Sequence, residues 1–147
     1  MKTTKNINRK ALCDEICTLL GYKTWEIKKV ACTGDWAGCY DYSLKFDDGK
    51  ELYICTSIDT FEINISEMIA GFKRTSKEGF KRGDMVKMKK SGTVARVASV
   101  GSEIEGYGTM LYLMDETQGP QDRRFVEYYN IICTSKTVTK IDNEPTL

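Results

Sequence analysis

The apolar residues of this chain follow different periodicities on either side of a polar stretch at Lys73–Gly79. Before this stretch, one helical pattern is followed by alternating strand-like runs. After it, short alternating runs are separated by glycine turns. The 147 residues suffice for one ordinary domain or two small units. We therefore predict an α+β protein: a helix-plus-sheet unit over 1–72, a linker over 73–79, a five-stranded barrel over 80–134 and a flexible tail over 135–147.

The first unit begins with a predicted helix from about Asn8 to Leu20. Leucine, isoleucine and cysteine side chains recur there at helical spacing, Asn8 is a candidate N-cap and Gly21 a C-terminal stop. Three strands follow, near 24–32, 40–46 and 50–57, and the middle one alternates most clearly between apolar and polar residues. The pattern predicts a helix covering one face of an antiparallel sheet.

The turn Asp47-Asp48-Gly49 decides which residues meet across the second hairpin. A two-residue turn would place Leu44 opposite Tyr53 and leave Leu52 on the polar face. A three-residue turn with a left-handed Gly49 pairs Leu44 with Leu52 and Tyr42 with Ile54, which keeps one face apolar. We therefore predict the three-residue turn.

The segment from Ile58 to Phe72 fits both a strand and a helix pattern, and we predict an extended entry followed by a helix from about Ser66. The resulting order of helix, three strands and helix resembles the double-stranded-RNA-binding domain. That family opens its second helix with a basic Lys-Lys motif, whereas this chain reads Ser66-Glu67-Met68. We therefore prefer a small α+β domain without RNA binding, and the RNA-binding domain is the alternative.

The second unit has predicted strands near 84–89, 92–100, 109–115, 123–126 and 131–134. The run Phe80-Lys81-Arg82-Gly83-Asp84-Met85-Val86, followed by Gly92-Thr93-Val94-Ala95-Arg96-Val97, resembles the opening hairpin of SH3-like small barrels, including KOW-type modules. Residues 125–132 are similar to the end of such barrels, where one tight turn precedes the closing strand. Such barrels serve ribosomal, transcriptional, chromatin and peptide-binding roles, so the resemblance implies a fold and not one function.

No histidine occurs in the chain, although six cysteines do. Most Ser and Cys nucleophiles and most catalytic zinc sites use an imidazole, so the commonest hydrolase and metalloenzyme sites cannot be built. No phosphate-binding loop or nucleophile elbow occurs either, and we predict a protein that is not an enzyme and has no cofactor. A structural zinc site on Cys13, Cys17, Cys32 and Cys39 is the metal alternative, whereas buried reduced cysteines are the simpler interpretation.

The N-terminal residues lead into a polar helix without an apolar run, so we expect neither a signal peptide nor a membrane span. The cysteines lie inside apolar or alternating segments, which is typical of reduced thiols in a cytoplasmic protein. The formal net charge of +1 means that any electrostatic signal is local.

Positive charge is concentrated around the start of the second unit. Candidate phosphate or acidic-protein contacts are Lys81, Arg82, Lys87, Lys89, Lys90, Arg96, Arg123 and Arg124. A solvated linker and an edge strand protected by lysines would give the same pattern. Two aromatic residues in glycine-containing loops, Trp36 and Tyr107, are candidate anchors for a partner or a base.

We therefore predict a cytoplasmic, non-catalytic macromolecule-binding protein, an inhibitor or adaptor that binds a protein or nucleoprotein partner. In its small size, cysteine content and balanced charge the chain resembles accessory products of phages and mobile elements, including anti-CRISPR proteins. Direct nucleic-acid binding through the basic patch is the alternative function.

Overall fold

The computed structural model describes residues 8–32, 39–118, 124–126 and 128–141. The chain divides into two compact units, one formed by 1–69 with 121–126 and the other by 70–120 with 127–147. Together they are α+β, with two helices and two antiparallel sheets of three and five strands among the described residues. Neither helix in the described ranges has the length and hydropathy needed to cross a lipid bilayer.

The first unit begins with helix α1, Arg9–Leu19, which starts as predicted. The Asn8 side-chain oxygen accepts hydrogen bonds from the backbone N–H groups of Lys10 and Ala11, so it caps amides that have no partner within the helix. Gly21, just beyond the helix, has a φ of 87°. The apolar stripe buries Cys13, Ile16 and Cys17, and α1 is therefore a core helix.

Strands β1, β2 and β3 span Trp25–Ala31, Tyr40–Phe46 and Glu51–Cys55 and pair in that order. The predicted three-residue turn is confirmed: Gly49 has a φ of 87° and Leu44 faces Leu52. The predicted pairing of Tyr42 with Ile54 is wrong, because the register shifts after Tyr42 and places Cys55 opposite it. An irregularity of this kind inserts one residue and keeps Ile54 buried.

Helix α2, Phe61–Lys73, begins earlier than the sequence predicted and follows a 3₁₀ turn at Ile58–Thr60. Phe61, Ile65 and Ile69 are buried at helical spacing, whereas Ile63 is 39% exposed. Of the two patterns that the sequence of this segment fits, the structure therefore follows the helical one. Ser66 lies inside the helix and does not begin it. The sequence Ser66-Glu67-Met68 is therefore not at the position where the RNA-binding family carries its Lys-Lys motif.

The second unit contains β4 (Met85–Met88), β5 (Val94–Ile104), β6 (Gly108–Met114), β7 (Ile131–Thr134) and β8 (Val138–Lys140). Their order in the sheet is β7-β6-β5-β4-β8, so β7 and β8 are the edges and the sheet is open. One face carries the core: Phe80, Val86, Ala95, Val97, Val100, Leu111, Leu113 and Val138.

Two strand predictions for the second unit are corrected. The strand predicted over 123–126 is not part of this sheet: Phe125 forms an isolated parallel bridge with Glu51 in the first unit. The fifth strand is β8, which lies within the predicted tail and pairs with β4. It forms because Val138 is buried in the core and its neighbours supply backbone partners for β4.

The predicted linker, 73–79, belongs to the second unit. Its Ser76 closes a turn with Phe80, donating from its backbone N–H to the Phe80 carbonyl oxygen at 2.8 Å and accepting the Phe80 N–H on its hydroxyl at 2.9 Å. The polar residues that predicted a linker over 73–79 thus include a hydrogen-bonded turn between Ser76 and Phe80.

Candidate binding surface

Three of the eight cations in the predicted basic patch, Lys81, Arg82 and Arg96, are engaged within the second unit, as is the neighbouring Lys77. Arg82 donates to the carbonyl oxygen of Ala98 at 2.6 Å. Lys77 pairs with Glu103 at 3.1 Å and Lys81 with Asp84 at 3.2 Å. Exposed pairs of this kind contribute little to stability, but they reduce the positive potential that a phosphate would meet.

The Arg82 side chain has a structural role. Its guanidinium carbon lies 4.3 Å from the centroid of the Phe72 ring, and burial lowers its pKa, with a further contribution from Arg96. Phe72 also contacts Tyr128, whose ring centroid lies 5.6 Å away at a steep angle. This aromatic cluster covers Arg82, so Arg82 is not a free contact for a ligand.

Two other predicted cations, Arg96 and Arg124, have contacts within their own units. Arg96 donates through Nε to Glu116 at 2.8 Å and through Nη2 to the same carboxylate oxygen. Arg124 belongs to the first unit, where its guanidinium carbon lies 5.3 Å from the Phe125 ring centroid. Arg123 and the predicted anchor Trp36 lie outside the described residues.

Lys87, Lys89 and Lys90 remain exposed, and no described carboxylate pairs with them. Lys87 stands on β4 opposite Val94, which is itself 46% exposed. Lys89 and Lys90 follow at the end of the strand. These three lysines are the part of the predicted patch that can meet a partner's negative charge.

Tyr107 occupies the tip of the hairpin between β5 and β6 and is 65% exposed. The neighbouring Gly106 and Gly108 have φ angles of 85° and 93°, which only glycine adopts readily. A Cβ on Gly108 would lie 2.3 Å from the Ser135 hydroxyl oxygen, so the hairpin approaches the 3₁₀ turn Ser135–Thr137 closely.

That 3₁₀ turn connects the hairpin tip with the end of β4. The Thr109 N–H donates to the Ser135 hydroxyl at 2.9 Å, and Lys136 Nζ donates to the Gly106 carbonyl oxygen at 3.3 Å. On its other side, the Lys89 N–H donates to the Thr137 carbonyl oxygen at 2.9 Å. The turn thus joins, through hydrogen bonds to backbone atoms, the segments that carry four exposed residues, which we call the turn surface: Lys89, Lys90, Tyr107 and Lys136.

One carboxylate adjoins the turn surface. Glu78 accepts a hydrogen bond from the Thr109 hydroxyl at 3.0 Å. Burial raises the pKa of Glu78, but hydrogen bonds from its own backbone and from Thr109, Ser135 and Ser76 outweigh that effect, so the pKa lies below its usual value. Glu78 is therefore ionised at neutral pH and holds the hairpin against the turn.

The turn surface contains one residue that the sequence did not indicate. Lys136 falls within the predicted tail, and it lies beside Gly106 because Thr134 pairs with Met110 and the Ser135 hydroxyl accepts a hydrogen bond from the Thr109 N–H. Two acidic residues near these loops, Glu103 and Glu116, pair with Lys77 and Arg96, whereas Glu105 is exposed two residues before Tyr107.

The four cysteines considered for zinc lie in two different settings. Cys13 and Cys17 are buried on α1, and burial raises the pKa of Cys13 to about 12. Cys32 and Cys39 lie at the ends of β1 and β2 and are more exposed. Among the described residues, no group of three or more metal-binding side chains comes together.

Comparisons with protein families, with curated proteins and with solved structures return no match to this chain. The functional argument therefore depends on the geometry of the turn surface and on the chemistry of its side chains.

Proposed function

We propose that this protein is a non-catalytic inhibitor or adaptor that binds a protein or nucleoprotein partner through the turn surface. The observation that carries the proposal is that Tyr107, which is 65% exposed, lies at a hairpin tip bonded to the same 3₁₀ turn that also binds the lysine-bearing end of β4. Tyrosine is enriched among residues that dominate protein interfaces, and rim lysines steer and orient an acidic partner.

A protein partner is favoured over bare nucleic acid by the engagement of the other cations. Lys77, Lys81 and Arg96 pair with carboxylates, and Arg82 is packed on Phe72. Nucleic-acid affinity grows with the number of phosphates neutralised, and three or four lysines offer few such contacts. A compact anchor with a small charged rim suits a protein surface better.

For the second unit we propose an SH3-like small barrel. Two features support it: β8 returns to pair with β4, the first strand of the unit, and a single 3₁₀ turn directly precedes that closing strand. The sheet order leaves β7 and β8 as edges, so the proposed barrel is an open one. Such barrels commonly bind through the loops at one end, as the turn surface does here.

For the biological role we propose an anti-defence protein of phages or mobile elements, of the anti-CRISPR type, that acts in the cytoplasm. The general character of the chain supports this proposal: a small size, six cysteines and near-neutral charge. Its partner would then be a nuclease or nucleoprotein with an acidic face.

The test is capture of partners from bacterial lysate, with and without nuclease, by the tagged protein and its variants. We expect a partner that survives nuclease treatment and is lost with Tyr107→Ala and with the double variant Lys89→Ala, Lys90→Ala. Tyr53→Ala and Lys50→Ala, which change exposed residues in the first unit, serve as matched controls and should retain the partner. Equal capture by all variants would refute the turn surface as the binding site.

Direct nucleic-acid binding is the second candidate, and it is favoured by Lys87, Lys89 and Lys90, which are exposed and pair with no carboxylate in the described part of the chain. Fluorescence anisotropy with labelled DNA and RNA at several salt concentrations tests it. A nucleic-acid binder loses affinity with a slope of roughly one counterion per phosphate contact, and replacing the three lysines by alanine lowers that slope. Weak binding with unchanged salt dependence in the variant would contradict this function.

A further inference from the structure

Cys32 and Cys39 lie directly opposite each other across the first hairpin. The register of β1 and β2 ends with Ala31 facing Tyr40, and the next pair in that register is Cys32 with Cys39. The Cys32 N–H donates to the Cys39 carbonyl oxygen at 2.9 Å, which continues the ladder by one pair. The backbones at these two residues are thus held together by hydrogen bonding.

The two thiols project from the same side of the sheet. Opposed residues of antiparallel strands share a face, and residues two apart on one strand share it too. The Cys32 sulfur lies 3.8 Å from an Asp41 carboxylate oxygen, and Asp41 is two residues beyond Cys39 on β2. Opposed Cα atoms in a hydrogen-bonded pair are about 5.5 Å apart, within the Cα span of about 4.4–6.8 Å that a disulfide bridges. Opposed Cβ atoms are about 4.5–5.5 Å apart, so the bond requires the two Cβ atoms at this hairpin end to approach by about 1 Å.

The other cysteines have different surroundings. Cys13 and Cys17 are buried one helical turn apart on α1. Cys55 is buried and its thiol donates to the Ser57 carbonyl oxygen at 2.8 Å. Cys133 stands on β7 opposite Leu111. Cys39, in contrast, is exposed, and Cys32 is partly exposed, so an oxidant in solution reaches this pair first.

We propose that Cys32 and Cys39 form a reversible intramolecular disulfide when the protein meets a hydroperoxide. Cys39, the more exposed thiol, attacks the peroxide oxygen, forms a sulfenic acid and releases water or an alcohol. The Cys32 thiol then displaces hydroxide from that sulfenic sulfur, forms the S–S bond and gives up its proton to release a second water. The two thiols are oxidised and the peroxide is reduced, so atoms and electrons balance.

The bond would close a ring from Cys32 to Cys39 around the segment that contains Trp36. Oxidation would therefore cross-link the two strands covalently where their hydrogen-bonded ladder ends. Exposed disulfides are generally the labile and regulatory ones, in contrast to buried structural ones. The inference does not depend on the proposed function, because its readouts are covalent.

The experiment is stoichiometric hydrogen peroxide treatment of the folded protein, followed by alkylation of all free thiols in denaturant and trypsin digestion. Both cysteines fall in one tryptic peptide, Val30–Lys45, which contains no internal lysine or arginine. We expect this peptide to lose the mass of two hydrogen atoms and to resist alkylation, and a phosphine reductant to restore two alkylated thiols. The peptides with Cys13, Cys17, Cys55 and Cys133 should remain alkylated.

Variants make the outcome decisive. Cys39→Ser should abolish the mass loss, whereas Cys133→Ser, which changes another partly exposed thiol, should leave it intact. Circular dichroism establishes that each variant is folded. A disulfide-linked dimer on a non-reducing gel, a sulfinic acid on Cys39 with Cys32 still alkylated, or an unreacted peptide would each overturn the proposal.

Discussion

The guanidinium of Arg82 lies on the face of the Phe72 ring, 4.3 Å from its centroid, while Nη1 donates to the Ala98 carbonyl oxygen at 2.6 Å. A residue that sequence alone places among candidate ligand contacts is thus part of the internal structure of the second unit. Charge in a basic run indicates a binding role only for side chains that the fold leaves without internal partners.

Replacing Arg82 by alanine should destabilise the protein, because it removes a cation–π contact and a charged hydrogen bond and leaves the Ala98 carbonyl oxygen without its donor. We expect a loss of about 1–3 kcal/mol in the free energy of unfolding, measured by urea denaturation. Lys87→Ala, which removes an exposed cation on β4, is the control and should change it by less than about 0.5 kcal/mol. An equal effect of the two changes would contradict the structural role of Arg82.

The elements that the sequence predicted well depend on local information. Asn8 caps α1 through amides two and three residues away, and the Gly49 turn sets the Leu44–Leu52 register within one hairpin. Chemistry confined to a few neighbouring residues can be read from the sequence.

The elements that it missed depend on contacts distant in sequence. β8 forms because Val138 faces Met88 about 50 residues earlier, and the Arg96–Glu116 pair spans 20 residues. Lys136 joins the turn surface through the pairing of β7 with β6 and the 3₁₀ turn that follows β7. The start of α2 differs from the prediction for another reason. Residues 61–65 fit both an alternating and a helical pattern of apolar residues, and the structure buries Phe61 and Ile65 but leaves Ile63 39% exposed, as a helix does.

Gly71 near the end of α2 should not tolerate a side chain. A Cβ there would lie 2.1 Å from the Ser99 hydroxyl oxygen and 3.4 Å from the Val100 carbonyl oxygen. Gly71→Ala should therefore cost about 1–3 kcal/mol, although alanine is the better helix former. Adding Ser99→Ala should recover part of that loss in urea denaturation. A gain in stability from Gly71→Ala alone would show that the helix end does not approach β5 so closely.

Asp84 should contribute to the pH dependence of stability. Burial raises its pKa, but hydrogen bonds from the Lys81 backbone and from the Lys81 and Lys140 side chains outweigh that effect, so its pKa is lowered on folding. The unfolded carboxyl group, with a pKa of about 3.9, binds its proton first as the pH falls. The stabilisation is therefore complete well above pH 4 and is lost as the pH falls through the folded pKa.

Asp84→Asn checks this sign. Urea midpoints of the variant and the original protein should differ most near neutral pH, and the difference should shrink below about pH 4. Thr139→Ala, which changes an exposed side chain that has no titratable group, should give no such convergence. A difference independent of pH would mean that the Asp84 charge contributes nothing.

Val138 decides whether the C-terminal segment is a strand or a tail. It is 3% exposed and belongs to the core of the second unit, opposite Met88 on β4. Val138→Ala should cost about 2 kcal/mol, since it removes two buried methyl groups from a packed core. Thr139→Ala, the exposed neighbour on the same strand, should cost less than about 1 kcal/mol. Ending the chain after Thr137 removes the whole β8 ladder and should cost more than either change. Unaltered urea midpoints for Val138→Ala and the shortened chain would show that β8 adds nothing to the stability of the fold and would restore the predicted tail from residue 138 onward.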